Sequence, residues 1–134
     1  MRILALDVGK RRIGIAVSDP LGITARPHST IQRNQESASK IAAIAQDLAV
    51  EQIVIGLPLH LDGSEGEQAE DVRRFAAKLA PLIGPTTVAF RDERLTRVEA
   101  GLRLSDRRKN RRMDRSRIDA MAAAVILEDC LNDR

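Results

Sequence analysis

The chain has 134 residues, with 22 Lys and Arg against 19 Asp and Glu, a 43% apolar share, two His and one Cys. A domain of this length buries roughly two-thirds of its unfolded surface, so a single domain over 1–134 is expected, with a core that needs no staples. The lone Cys130 excludes an internal disulfide and a multi-Cys zinc site, and His28 and His60 are too few for a His-rich metal cage. No apolar run reaches the roughly 18 residues of a membrane span, and Met1-Arg2 leads into a strand-like segment instead of a signal peptide. A cytoplasmic protein with no membrane partner is the expectation.

In chain order, Ile3 to Leu6 is a short apolar run closed by Asp7-Val8-Gly9, Ile13 to Val17 is a second, and Ile23 to Ile31, interrupted by Pro27, is a weaker third. Links this short allow only antiparallel neighbours, because a parallel return needs about a dozen residues, so the chain opens as a meander. From Asn34 to Val50 the period becomes helical, with Ile41, Ile44, Ala45 and Leu48 on one face, before a strand at Ile53 to Leu57. A second helix is expected from Glu65 to Leu82, broken by Gly84-Pro85. A fifth strand follows over Thr86 to Phe90, then helices near Arg94 to Leu104 and Ser116 to Leu131. The fold class is α/β, with no internal repeat.

Charge is concentrated in one place. Arg103 to Arg117 carries eight basic residues and two acids, including Arg107, Arg108, Lys109, Arg111 and Arg112. Such density suits a polyanion, where each neutralised phosphate releases counterions; a solvated loop is the plainer alternative. With Phe75 and Phe90 the sole aromatics, stacking on bases is disfavoured and contact with the nucleic-acid backbone is the expected mode.

The acids are placed more tellingly. Asp7 closes the first strand, and ligand sites of open α/β sheets lie beyond the carboxyl ends of strands. Asp92-Glu93 holds the same place after the fifth strand, and right-handed crossovers set that strand on the side of the first away from the meander. Asp119 falls on the first turn of the last helix. Each has a structural alternative. Asp7 suits a turn with Gly9, and Ser116-Arg117-Ile118-Asp119 fits a helix-capping box. Ser64-Glu65-Gly66-Glu67 has the same capping form, Asp62-Gly63-Ser64 suits a turn or a phosphate cradle, and His60 is either a proton donor or a surface residue.

Asp7-Val8-Gly9-Lys10-Arg11-Arg12-Ile13-Gly14-Ile15-Ala16-Val17-Ser18-Asp19, Gly56-Leu57-Pro58 with Asp62-Gly63-Ser64-Glu65-Gly66, Asp92-Glu93-Arg94-Leu95-Thr96, and Asp119-Ala120 with Ala122-Ala123 appear in that order. Together they resemble the YqgF/RuvX family of pre-16S rRNA nucleases and Holliday junction resolvase-like proteins, along nearly the whole chain. The resemblance implies an RNase H-like fold, a five-stranded mixed sheet of order 3-2-1-4-5 flanked by helices. It also implies a divalent-metal nuclease whose acidic triad maps to Asp7, Glu93 and Asp119. His60 stands where Asn is common in the family, and Arg97 where Thr or Ser often follows Thr96.

Three carboxylates in one site repel unless a cation joins them, so Mg²⁺ or Mn²⁺ is the expected cofactor, supporting phosphodiester hydrolysis. Strand alternation puts Asp92 and Glu93 on opposite faces, and Asp92 is the reserve ligand. Lys10, Arg11, Arg12 and Arg94 are candidates to hold flanking phosphates, with surface solvation as the alternative for any one of them. RNA is the favoured partner by resemblance, with branched or single-stranded DNA as the alternative. Monomer and homodimer both stay open. A nucleic-acid-binding protein without catalysis is the rival class. An actin-like ATPase would need two such domains.

Overall fold

The computed structural model describes residues 1–93 and 115–133. Strands β1 (Ile3–Val8), β2 (Arg12–Ser18) and β3 (Ala25–Gln32) precede helix α1 (Ser37–Asp47) and strand β4 (Gln52–Leu57). Helix α2 (Glu67–Leu79), a 3-10 turn (Ala80–Leu82), strand β5 (Thr87–Asp92) and helix α3 (Arg115–Asn132) complete the described chain. The sheet has the order β3-β2-β1-β4-β5, with β1–β2 and β2–β3 antiparallel and β1–β4 and β4–β5 parallel. The expected meander and crossover arrangement is thus present.

The hairpins close on local chemistry. Gly9 N donates to Arg12 O at 2.9 Å in the first, and in the second the Asp19 carboxylate accepts from the amides of Ile23 and Thr24 at 2.6 and 2.8 Å. Those amides hold the Asp19 carboxyl below its usual range. Pro27, which interrupts the third run, pairs with Ala16 on edge strand β3 where the register with β2 shifts between Ile15 and Ala16, the kind of edge and bulge position at which sheets tolerate proline.

Helix ends differ from the sequence expectation because turns take over. Asn34 and Ser37 form a turn in which Asn34 N donates to Ser37 Oγ and Glu36 N donates to Asn34 Oδ1, delaying α1 to Ser37. Ala49, with φ 52°, ends the segment after Leu48. The expected cap at Ser64 does not form: α2 begins at Glu67 after Gly66 without a side-chain cap. The Ser64 hydroxyl instead donates to Asp62 Oδ1 at 2.6 Å, and Glu65 receives two bonds from Arg73. The helix expected over 94–104 lies outside the described residues.

Central strand β1 is buried on both sides, and alternation divides its side chains between two cores. Leu4 and Leu6 join Ile13, Ile15, Ile53, Ile55 and the apolar stripes of α1 and α2, including Ile41, Val72 and Leu79. Ile3 and Ala5 join Ala16 and Val54 under α3, against Ala123, Ala124, Ile126 and Leu127. Asp7 continues the Ile3–Ala5 series and so belongs to the α3 face.

Candidate functional site

The site begins with two glycines inside strands. Asp7 pairs with Gly14 of β2, and the parallel register Leu6↔Ile55, carried one residue on, sets Gly56 of β4 on its other side. Both glycines alternate onto the α3 face, with Ala16 and Val54. A Cβ at Gly14 would lie 2.0 Å from the backbone oxygen of Asp119, so the helix carrying Asp119 rests directly on the strand beside Asp7. A Cβ at Gly56 would lie 2.9 Å from Glu93 Oε1 and 2.7 Å from Ile126 Cδ1, so the Glu93 carboxylate occupies the corresponding seat on the other side. Glycine in a strand interior commonly marks such an approach, and the interruptions Ile13-Gly14-Ile15 and Ile55-Gly56-Leu57 were the signal for it.

β5 decides between the two neighbouring acids. Val88 packs with the α1/α2 core, and Arg73 of α2 stacks over Phe90 at 4.8 Å, so even-numbered β5 residues, Asp92 included, alternate onto that side. Glu93, whose amide donates to Leu57 O at 3.0 Å, turns its carboxylate to Gly56 on the α3 side. Of the pair, Glu93 shares the face of Asp7. Asp7 is a paired strand residue and not the start of a turn with Gly9. Asp119 is the fifth residue of α3, past the first turn, because the helix starts at Arg115. Its carboxylate oxygen Oδ2 accepts from Arg12 Nε at 2.7 Å.

The basic candidates separate. Arg12 lies on the α3 face against Asp119, whereas Lys10 lines a cleft of about 360 Å³ with Arg33, Glu67, Gln68, Asp71 and Arg74. Arg33 ties the β1–β2 turn to α2: it donates to Gly9 O at 2.9 Å and to both Asp71 oxygens at 2.7 and 2.9 Å, and it stacks over Phe75. This fork holds the Asp71 carboxyl below its usual range. Arg11 is exposed. Arg94, Arg107, Arg108, Lys109, Arg111 and Arg112 lie outside the described residues.

The loop between β4 and α2 is a turn, as one sequence reading had it. Ser64 N and Oγ both donate to Asp62, lowering its carboxyl pKa, and Gly63 supplies a φ of 90°. The Ser64 amide is thus engaged within the turn. Exposed His60 lays its ring along Gly66, where a Cβ would come within 2.5 Å of Nε2.

Carboxylates are the oxygen donors that hard divalent cations take, so Asp7, Glu93 and Asp119 fit such an ion by chemistry. Their backbones are brought to the same end of the sheet, but no cluster of three metal-ligating side chains is closed among the described residues, and Arg12 engages Asp119.

The mixed sheet of order 3-2-1-4-5, with α3 across one face and α1 and α2 across the other, is an RNase H-like fold. Thermus thermophilus RuvC in complex with a Holliday junction substrate shares it at a TM-score of 0.61 and 12% identity, over 98% of this chain and 96% of that one. The fowlpox virus Holliday junction resolvase does so at 0.57 and 12%, over all of both chains. The chain belongs to the RuvX family, whose model, described as Holliday junction resolvase, matches residues 1–133. A relative from Moorella thermoacetica is 46% identical over 134 residues, covering 98% of this chain and 95% of its own. One from Anaeromyxobacter sp. (strain K) is 44% identical over 136 residues, covering 100% and 98%. Both bear the name "Putative pre-16S rRNA nuclease".

Proposed function

We propose that this chain is a divalent-metal-dependent nuclease that hydrolyses phosphodiester bonds in 5′-end processing of pre-16S rRNA, a step of ribosome biogenesis in the cytoplasm. The observation that carries the site is the pair of glycine seats beside Asp7, one under the backbone of Asp119 and the other under the carboxylate of Glu93. Family membership and the names of the relatives support the substrate. No helix among the described residues is long and apolar enough to cross a membrane.

Asp7, Glu93 and Asp119 would hold Mg²⁺ or Mn²⁺, with Asp92 turned to the other face. An ion held there would supply activation of a water and stabilisation of the charge that develops on the scissile phosphate and the leaving oxygen. Asp7, on a strand buried on both faces, is the rigid member; Glu93 and Asp119 reach the site from a strand end and a helix. Arg12 beside Asp119, Arg11 on the adjoining turn, and the basic residues of the sequence beyond Glu93 are suited by charge to phosphates flanking the cut, whereas Lys10 lines the cleft on the α2 side. The description of the family model favours a second substrate, a four-way DNA junction.

The test is cleavage by wild type and Asp7→Asn on a 5′-extended 16S rRNA fragment, single-stranded DNA and a four-way DNA junction, with Mn²⁺, Mg²⁺ or EDTA. Metal-dependent cleavage of the rRNA fragment, reduced at least about a hundredfold in Asp7→Asn, is expected. Equal cleavage in EDTA would overturn the metal reading, and cleavage confined to the junction would replace the substrate. Salt-sensitive binding without any cleavage would make the chain a binding protein.

A further inference from the structure

Arg12 and Asp119 are 107 residues apart in sequence, yet Arg12 Nε donates to Asp119 Oδ2 at 2.7 Å. Arg12 stands on the α3 face of β2, two residues before Gly14, and Gly14 is where the Asp119 backbone rests. The backbone on both sides of the bond is therefore fixed by the packing of α3 on β2. The two side chains, 30% and 25% exposed, retain room to move.

A guanidinium bonded to a carboxylate oxygen competes with a cation for that oxygen's electron density, and a divalent cation beside the same carboxylate repels the guanidinium. We infer that Arg12 is a positioning residue that competes with the divalent cation for Asp119, and that metal loading turns its guanidinium toward a phosphate of the substrate. The bond to Asp119 uses Nε alone; Nη1 and Nη2 are not part of it. A released guanidinium presents a planar fork that matches two non-bridging phosphate oxygens, a geometry a lysine would not reproduce. Metal loading and substrate capture are thereby coupled: without metal, Arg12 is occupied with Asp119, and with metal it gains affinity for phosphate. This rests on the metal-site reading above.

The experiment measures Mn²⁺ binding to nucleic-acid-free protein, by the electron paramagnetic resonance signal of free Mn²⁺, for wild type, Asp7→Asn, Arg12→Gln, Asp119→Asn and the Arg12→Gln/Asp119→Asn double variant. Circular dichroism verifies that each is folded. Arg12→Gln is expected to tighten Mn²⁺ binding about three- to fivefold, the scale of a partly exposed ion pair that the metal no longer has to break. In the Asp119→Asn background the same substitution is expected to change it little. Unchanged or weaker binding in Arg12→Gln overturns the inference, as does equal tightening in both backgrounds, which would be a general charge effect. Asp7→Asn separates the two levels: if it binds Mn²⁺ as wild type does, the metal site itself is misplaced and both readings fall.

The release is read from single-stranded RNA binding against salt, with Ca²⁺ as an oxygen-liganded cation or with EDTA. Wild type is expected to gain about 0.7 in slope magnitude on adding Ca²⁺, one additional phosphate contact, and Arg12→Gln to gain none. An equal gain in both proteins overturns the release.

Discussion

The two faces of the sheet are built from different side chains. Under α1 and α2 the strands present Leu4, Leu6, Ile13, Ile15, Ile53 and Ile55, large aliphatics interlocked with Ile41, Val72, Phe75 and Leu79. Under α3 they present Ala5, Gly14, Ala16, Val54 and Gly56, with Ile3 the large exception, and the helix answers with Ala123 and Ala124 beside Ile126 and Leu127. Small residues let α3 lie close enough for its backbone at Asp119 to meet the strand at Gly14. One face thus supplies most of the apolar volume, while the other gives up volume to bring the helix backbone at Asp119 against the strand that pairs with Asp7.

The largest effect is expected from Gly14→Ala. Its Cβ would meet backbone on both the Asp119 and Ala120 side, which cannot rotate away, so α3 itself must shift. A loss of about 4 kcal/mol in denaturant unfolding, above the common range for overpacking, should accompany at least a hundredfold drop in cleavage, roughly the cost of displacing a reacting group. Wild-type activity in this variant would show that the placement of Asp119 is not needed.

Leu79→Ala probes the opposite face. Leu79 is fully buried on α2, and truncation should cost about 3 kcal/mol through lost burial and a residual cavity. Because it lies in the other core, kcat of the folded protein should stay at the wild-type value. A parallel fall in kcat would mean the faces are coupled and the contrast is too sharp.

Gly56→Ala should be milder in stability, about 1–2 kcal/mol, because the atoms its Cβ meets belong to the side chains of Ile126 and Glu93, which can yield. Cleavage should nevertheless fall on the order of tenfold or more as Glu93 is pushed from its seat. Asp92→Asn, altering the acid on the opposite side, should leave cleavage near wild type, and the reverse ranking would exchange the roles of the two acids.

The smallest effect concerns Arg33–Asp71 on the α2 side. Arg33 holds the Asp71 carboxyl below its ordinary value. Its contribution is therefore complete above the unfolded carboxyl pKa of about 4 and disappears as pH falls through the lower folded value. Asp71→Asn should cost about 1 kcal/mol or less at pH 7, with the gap from wild type closing below pH 4 in urea melts. A gap that persists in acid would assign the loss to packing over Phe75 and not to charge.

Much of this was legible in the sequence. Apolar period and link length determine the meander, the crossovers and the class of the fold, because a short link between strands permits one pairing sense and a helical period demands a face to cover. The resemblance carried by the ordered motifs implies Asp7, Glu93 and Asp119 as the acids of the proposed site, with the residues alone leaving Asp92 as the alternative to Glu93. Tertiary structure decided the rest. Which of Asp92 and Glu93 faces Asp7 depends on where β5 begins its alternation against β4, a register that local sequence does not set. The Arg12–Asp119 bond required α3 to cross β2 at Gly14, bringing together residues from nearly opposite ends of the chain. Sequence carries periodicity and chemistry along the chain, but a site assembled across strands takes its geometry from register and from how closely the layers pack, and both exist only once the whole sheet has formed.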